Sequence, residues 1–127
     1  FFDMLLWIFG GVRRREVHVS ESGRMAGFLE LEKAEVRWFL SVDRRDLPPE
    51  AVQGGKTTYR SITVDGEEFE FSGGFTDLHT VVYRETLAGR GFGIEEVRPS
   101  IDLVHQLRHA VPERAAGTPA HPFLGRP

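Results

Sequence analysis

The chain has 127 residues, 40% of them hydrophobic and 28% charged, an ordinary globular composition with enough apolar side chain for one core. A formal charge of −3 excludes the basic surface that a nucleic-acid-binding domain uses to displace counterions from phosphates. The lack of cysteine excludes a disulfide framework, thiolate catalysis and zinc-cysteine sites, and agrees with a reducing, cytoplasmic setting.

The chain opens on an apolar stretch, Phe1 to Phe9, closed by Gly10 and Gly11. No basic leader precedes it, no small-residue cleavage site follows, and nine residues are too few to span a bilayer. It reads instead as a helix with a glycine C-terminal cap. Having neither an N-cap nor an initiator Met, it reads further as a helix entered midway, so that the chain is expected to be a fragment of a larger protein.

After Gly11 the period changes from helical to alternating, as expected when one face of a sheet is buried. Val12 to Ser20, Arg24 to Glu32 and Ala34 to Val42 are predicted strands, joined by connections too short for crossover helices and therefore antiparallel. Arg13, Arg14 and Arg15 form the one basic cluster and read as part of a solvated or interface strand. Asp43 to Glu50 is polar with two prolines, an exposed excursion. Thr57 to Val64 and Glu67 to Phe71 flank Asp65-Gly66, the residue pair that supplies the positive φ angles of a type I′ hairpin.

Thr76 or Asp77 can cap a helix in which Leu78, Val81, Val82 and Leu87 recur at helical spacing until Ala88-Gly89. A second helix follows, with Pro99 suited to its first turn and Val97, Ile101, Val104, Leu107 and Val111 as its apolar stripe. Pro112 to Pro127 holds four prolines and two glycines and reads as an extended tail, not a packed element.

The expected fold is α+β, an open-faced, mainly antiparallel sheet with helices on one face: a single domain over residues 1–111, followed by the tail over 112–127. Apolar residues on both strand faces, among them Phe28, Trp38, Phe39, Phe69 and Phe71, lead to the expectation that a second copy covers the open face, making a homo-oligomer.

Few constellations carry chemistry. His105 and His109 have a metal-binding spacing but lack a metalloprotease glutamate and a third ligand, so no metal site is expected. Gly89-Arg90-Gly91-Phe92-Gly93 follows a helix, whereas a dinucleotide loop follows a strand. Gly73 to His79 leads flexible backbone into a helix N-terminus, a place that favours anions, although capping by Thr76 or Asp77 with His79 on the helix surface is the plainer reading. Glu67, Glu68 and Glu70 read as a solvated hairpin edge. There is neither a nucleophile elbow nor a dinucleotide fingerprint.

Arg60-Ser61-Ile62-Thr63-Val64-Asp65-Gly66-Glu67-Glu68 and Phe71-Ser72-Gly73-Gly74-Phe75-Thr76-Asp77-Leu78-His79, with Gly91-Phe92-Gly93 and Trp38-Phe39-Leu40-Ser41-Val42-Asp43, carry a resemblance that covers most of the chain. Together they resemble the C-terminal half of the sugar-nucleotide dehydrogenases that oxidise UDP-N-acetylglucosaminuronic acid at its 3-position for surface polysaccharide such as lipopolysaccharide O-antigen. These lie within the glucose-fructose oxidoreductase and inositol dehydrogenase superfamily.

The resemblance implies that an N-terminal Rossmann domain, absent here, binds NAD in the intact parent, while this portion completes the sugar-nucleotide pocket and makes subunit contacts. It implies no cofactor bound by this fragment and no catalytic residue within it. Asp3 matches an aspartate that follows the family's catalytic histidine by three residues, which puts that histidine immediately before Phe1 and leaves Asp3 an orienting role. Tyr59, Arg60, Thr76 and His79 are the residues expected near the substrate, Arg60 because a fork of donors suits a uronate carboxylate or a diphosphate. The same superfamily acting on another sugar, and a non-catalytic sheet-pairing assembly module, are the alternatives. The parent is expected to be cytoplasmic, with no membrane or nucleic-acid partner.

Overall fold

The computed structural model describes residues 1–74 and 76–125. Its contacts divide into two compact units, Phe1–Val42 together with the chain from Gly93 on, and Asp43–Phe92.

The first unit begins with α1 (Phe2–Phe9), which ends as its glycines require. Gly10 takes φ 86° and its N–H reaches the Leu6 carbonyl at 2.9 Å. β1 (Val12–Glu21), β2 (Arg24–Leu31) and β3 (Glu35–Ser41) then form an antiparallel sheet in chain order. Their register sets Val17, Gly27 and Trp38 abreast on one face and Glu16, Phe28 and Arg37 abreast on the other. A Cβ at Gly27 would collide with the Glu16 carbonyl oxygen and lie 2.7 Å from Cζ2 of Trp38. Glycine is therefore what lets the indole approach the strand backbone.

α1 and α4 (Ile94–His109) cover the Trp38 face. Phe2 meets the indole edge to face at 5.3 Å, and α4 packs on α1 and β1 with Ser100, Leu103 and Leu107 buried. The indole N–H of Trp38 has no acceptor among the described residues. Burial of Phe28, Leu29 and Trp38, each at most 1% exposed, contributes about 1.5–3 kcal/mol per side chain and dominates this unit's stability.

The opposite face departs from expectation. The segment after Pro112, read as extended and unpacked, is irregular but lies on the sheet. The Glu113 N–H reaches the Val17 carbonyl at 2.7 Å, Glu16 accepts from the Ala115 N–H and the Thr118 hydroxyl, and His121 stacks on Phe39 at 5.5 Å. The chain's own C-terminal segment thus occupies part of the face that the sequence left for a second copy. Residues a hundred positions apart made this contact, which no local pattern encodes.

Two details of α4 are also corrected. It starts at Ile94, where Glu95 and Glu96 favour the helix N-terminus and the Glu96 carboxylate accepts the Gly93 N–H at 2.8 Å. Pro99 consequently sits in the second turn, where it removes one helical hydrogen bond. Its buried side is Ser100, Leu103 and Leu107, whereas Val97, Ile101, Val104 and Val111 of the expected stripe are exposed.

In the second unit, the polar excursion holds a 3-10 turn at Arg44–Asp46, capped by the Asp43 carboxylate on the Arg45 N–H, and a short helix, α2 (Pro49–Gln53). β4 (Ser61–Val64) and β5 (Glu67–Glu70) pair as a separate hairpin, so the five strands form two sheets. Its turn has φ 51° at Asp65 and φ 88° at Gly66, the two positive angles anticipated. α3 (Leu78–Leu87) follows, and all four residues of its expected stripe are exposed. Asp77 occupies the N-cap position without a side-chain capping bond, because its backbone, at φ −112° and ψ 16°, is not the extended one that aims a cap. Among the described residues of this unit only Ala51 is buried.

The α+β class and antiparallel pairing read from the sequence stand. No helix among the described residues is long and apolar enough to cross a membrane.

Candidate functional site

The hairpin brings two of the four expected substrate residues into one hydrogen-bonded group. β4 is preceded by Tyr59 and Arg60, and pairing continues one step past the ladder: the Phe71 N–H reaches the Arg60 carbonyl at 2.9 Å, and the Arg60 N–H reaches the Ser72 hydroxyl at 2.8 Å. The Tyr59 hydroxyl donates to Glu68 at 2.7 Å. That bond pushes the phenol up from its ordinary value, while Ser61 and Tyr59 hold the Glu68 carboxyl below its own. The carboxylate is thus the acceptor.

Glu70 performs the same task two pairs further on. Its carboxylate accepts from Lys56 Nζ at 2.9 Å and from the Ser72 N–H at 3.0 Å, and these donors hold its pKa down at about 2. The hairpin glutamates, read as a solvated edge, therefore tie the incoming segment 56–60 to β5. The parity of Glu68 and Glu70 was visible in the sequence. Their partners Tyr59 and Lys56 were not, because a side-chain bond across nine or fourteen positions has no periodic signature.

Arg60 is exposed, and its guanidinium makes one long bond, Nη1 to the Ser72 carbonyl at 3.5 Å. That leaves most of its donors for water or an anion. Thr76 and His79 lie in the same unit, both exposed, at the turn before α3 and in its first turn. Of the segment Gly73 to His79, Phe75 lies outside the described residues. Asp3 belongs to the other unit, exposed on the first turn of α1.

The remaining motifs take structural roles. Arg90 in the glycine loop is spoken for by Glu85, at 2.6 and 3.1 Å. Nδ1 of His109 lies 2.7 Å from the His105 carbonyl, an intrahelical bond. Among the described residues no group of three or more His, Asp or Glu is placed to hold a metal ion. The glycine loop at Gly89 leaves a helix, α3, and not a strand, as its sequence context implied.

No protein-family profile matches the chain. Among solved structures it is similar to the WlbA (WbpB) dehydrogenase from Thermus thermophilus in complex with NAD and α-ketoglutarate, with 52% identity, a TM-score of 0.89, and 96% of this chain covered against 40% of that one. The same dehydrogenase in complex with NAD and UDP-GlcNAcA matches with 50% identity and a TM-score of 0.88, covering 96% and 39% of the two chains. The chain thus spans about two-fifths of the length of the proteins it matches. Over nearly all its residues its fold is similar to that of part of the WlbA dehydrogenase, and the resemblance legible in its sequence holds in three dimensions.

Proposed function

We propose that this chain is the C-terminal, substrate-pocket and assembly portion of an NAD-dependent sugar-nucleotide dehydrogenase that oxidises C3 of UDP-N-acetylglucosaminuronic acid in the cytoplasm for surface-polysaccharide synthesis. One observation carries the reading: half of the residues and the fold of 96% of the chain coincide with those of a dehydrogenase bound to NAD and UDP-GlcNAcA. In the parent, NAD bound to a separate Rossmann domain accepts the hydride, and the base that takes the 3-hydroxyl proton also lies outside this chain. Alone, the chain binds no NAD and is inactive.

Tyr59, Arg60, Thr76 and His79 contribute to the pocket. Tyr59 and Ser72 set the backbone on either side of Arg60, whose open fork of donors meets the uronate carboxylate or the diphosphate. Asp3, in the first turn of α1, orients that helix. The exposed apolar residues of α3 and of α4 support the assembly role, which suits a homo-oligomer. Because the C-terminal segment already lies over Glu16 and Phe39, a second copy meets the sheet with that segment as part of the contact, or after displacing it.

The test is NADH formation by the full-length parent with UDP-N-acetylglucosaminuronic acid, compared with unmodified hexoses. Arg60→Ala is expected to raise KM about tenfold or more, as befits loss of a charged hydrogen bond, with kcat less affected. Equal turnover of plain sugars would redirect the reading to another member of the superfamily, and no turnover of any sugar would leave the assembly module.

A further inference from the structure

We propose that Glu16 is the polar latch of a detachable C-terminal strap, residues 113–123, which lies on the Glu16 and Phe39 side of the sheet and comes free when the Glu16 carboxylate is neutralised. Four donors converge on this carboxylate. Arg14 Nη1 lies at 3.0 Å, Thr118 Oγ1 at 3.1 Å, and His18 Nε2 and the Ala115 N–H at 3.2 Å. Two of the four belong to the sheet and two to the strap, so a single side chain couples segments about a hundred residues apart.

Among the strap's described residues only Thr118 is buried, and what it buries is a hydroxyl whose acceptor is Glu16. An open groove of about 440 Å³, lined in part by Arg14, Glu16, Glu113 and Ala115, shows that apolar packing does not seal the segment there. The strap's other attachments include the Glu113 N–H on Val17 and the rings of His121 and Phe123 on Phe39, each 5.5 Å away. The sheet beneath keeps its own core through Trp38, Leu29 and the helices, so release of the strap need not unfold it.

The surroundings fix the direction of the pH response. β1 presents Arg14 and His18 to Glu16. β2 contributes Glu30, 3.2 Å from Arg14, and β3 places Arg37 two register positions across. Glu113, Arg114 and His121 are the ionisable groups of the strap itself. Burial pushes the Glu16 carboxyl up, but His18, the Ala115 amide, Thr118 and Arg14 together outweigh it, and the net shift is downward. A pKa lower in the docked than in the free state makes docking favourable above the free value and weaker as pH falls through the docked one. His18, whose side chain is 3% exposed, keeps Nδ1 without a partner among the described residues, so Nε2 is the nitrogen committed to the latch.

The test is amide hydrogen exchange and a pH titration by NMR on the 127-residue chain, and it does not depend on the dehydrogenase reading. Glu16→Gln places an amide donor among donors, and protection at Glu113, Ala115 and Thr118 is expected to fall about tenfold or more while Phe28 and Leu29 keep theirs. Thr118→Val, which leaves the sheet untouched, is expected to lower protection at the same three amides by roughly threefold or more. In the unmodified chain the Ala115 amide shift is expected to titrate with a midpoint below that of an unpaired glutamate. Unchanged protection in both variants overturns the proposal, as does an equal loss in β2, which would make Glu16 a support of the whole sheet. If Glu16→Gln does not fold, Thr118→Val and the titration decide.

Discussion

Phe28, Leu29 and Trp38 in the first unit are each at most 1% exposed, whereas Leu78, Val81, Val82 and Leu87 of α3 in the second unit are all at least 43% exposed. Both sets come from stretches with a regular apolar pattern in the sequence, strands in one case and a helix in the other. The difference teaches that periodicity marks a face as destined for burial without saying whose atoms will bury it. The sheet finds its cover within the chain, from α1, α4 and the C-terminal segment. The second unit keeps the apolar stripe of α3 at the surface.

The comparison can be broken most severely at Trp38. Trp38→Ala removes the side chain that joins β3 to Gly27 and Phe2, and is expected to cost about 3–5 kcal/mol in denaturant unfolding of the first unit. A cost below about 1 kcal/mol would mean that the core lies elsewhere. The matching experiment in the second unit is Val82→Asp. With Val82 52% exposed, it is expected to change the chain's own stability by no more than about 0.5 kcal/mol, while reducing association of the full-length parent in light scattering. A large loss of stability in the isolated chain would erase the contrast between the units.

The smallest effect sharpens what holds the second unit together. Glu70 titrates at about 2 instead of the ordinary 4.5, chiefly because Lys56 and Ser72 donate to it. Its folded pKa is depressed, so its contribution is complete above the unfolded value and fades as pH falls from about 4.5 towards about 2. Lys56→Ala is expected to move the Glu70 midpoint upward in a carboxyl carbon-13 titration with the hairpin intact. An unmoved midpoint would show that Ser72 alone sets it.

What the sequence disclosed and what it hid divide along the range of the interactions. Gly10 ending α1 and Asp65-Gly66 turning the hairpin are decided within a few residues, and both were read correctly. The stripe of α4 was misread because Val97, Ile101 and Val104 repeat at the same spacing as Ser100, Leu103 and Leu107, and a serine on the buried side weakens the true signal. The C-terminal segment was misread because prolines argue against regular structure but say nothing about a carboxylate waiting at Glu16. In the candidate site, Tyr59 and Arg60 were found through resemblance, whereas the hydrogen bonds that place them, from Lys56 to Ser72, depend on a register known only once the hairpin is folded.

β1 is the outer strand of its sheet and would ordinarily offer a row of bare peptide groups to any passing strand. Its register slips at Arg13 and again at His18, and between those irregularities the Val17 carbonyl is already taken by Glu113. Such a rim is a poor template for fibril growth or strand exchange.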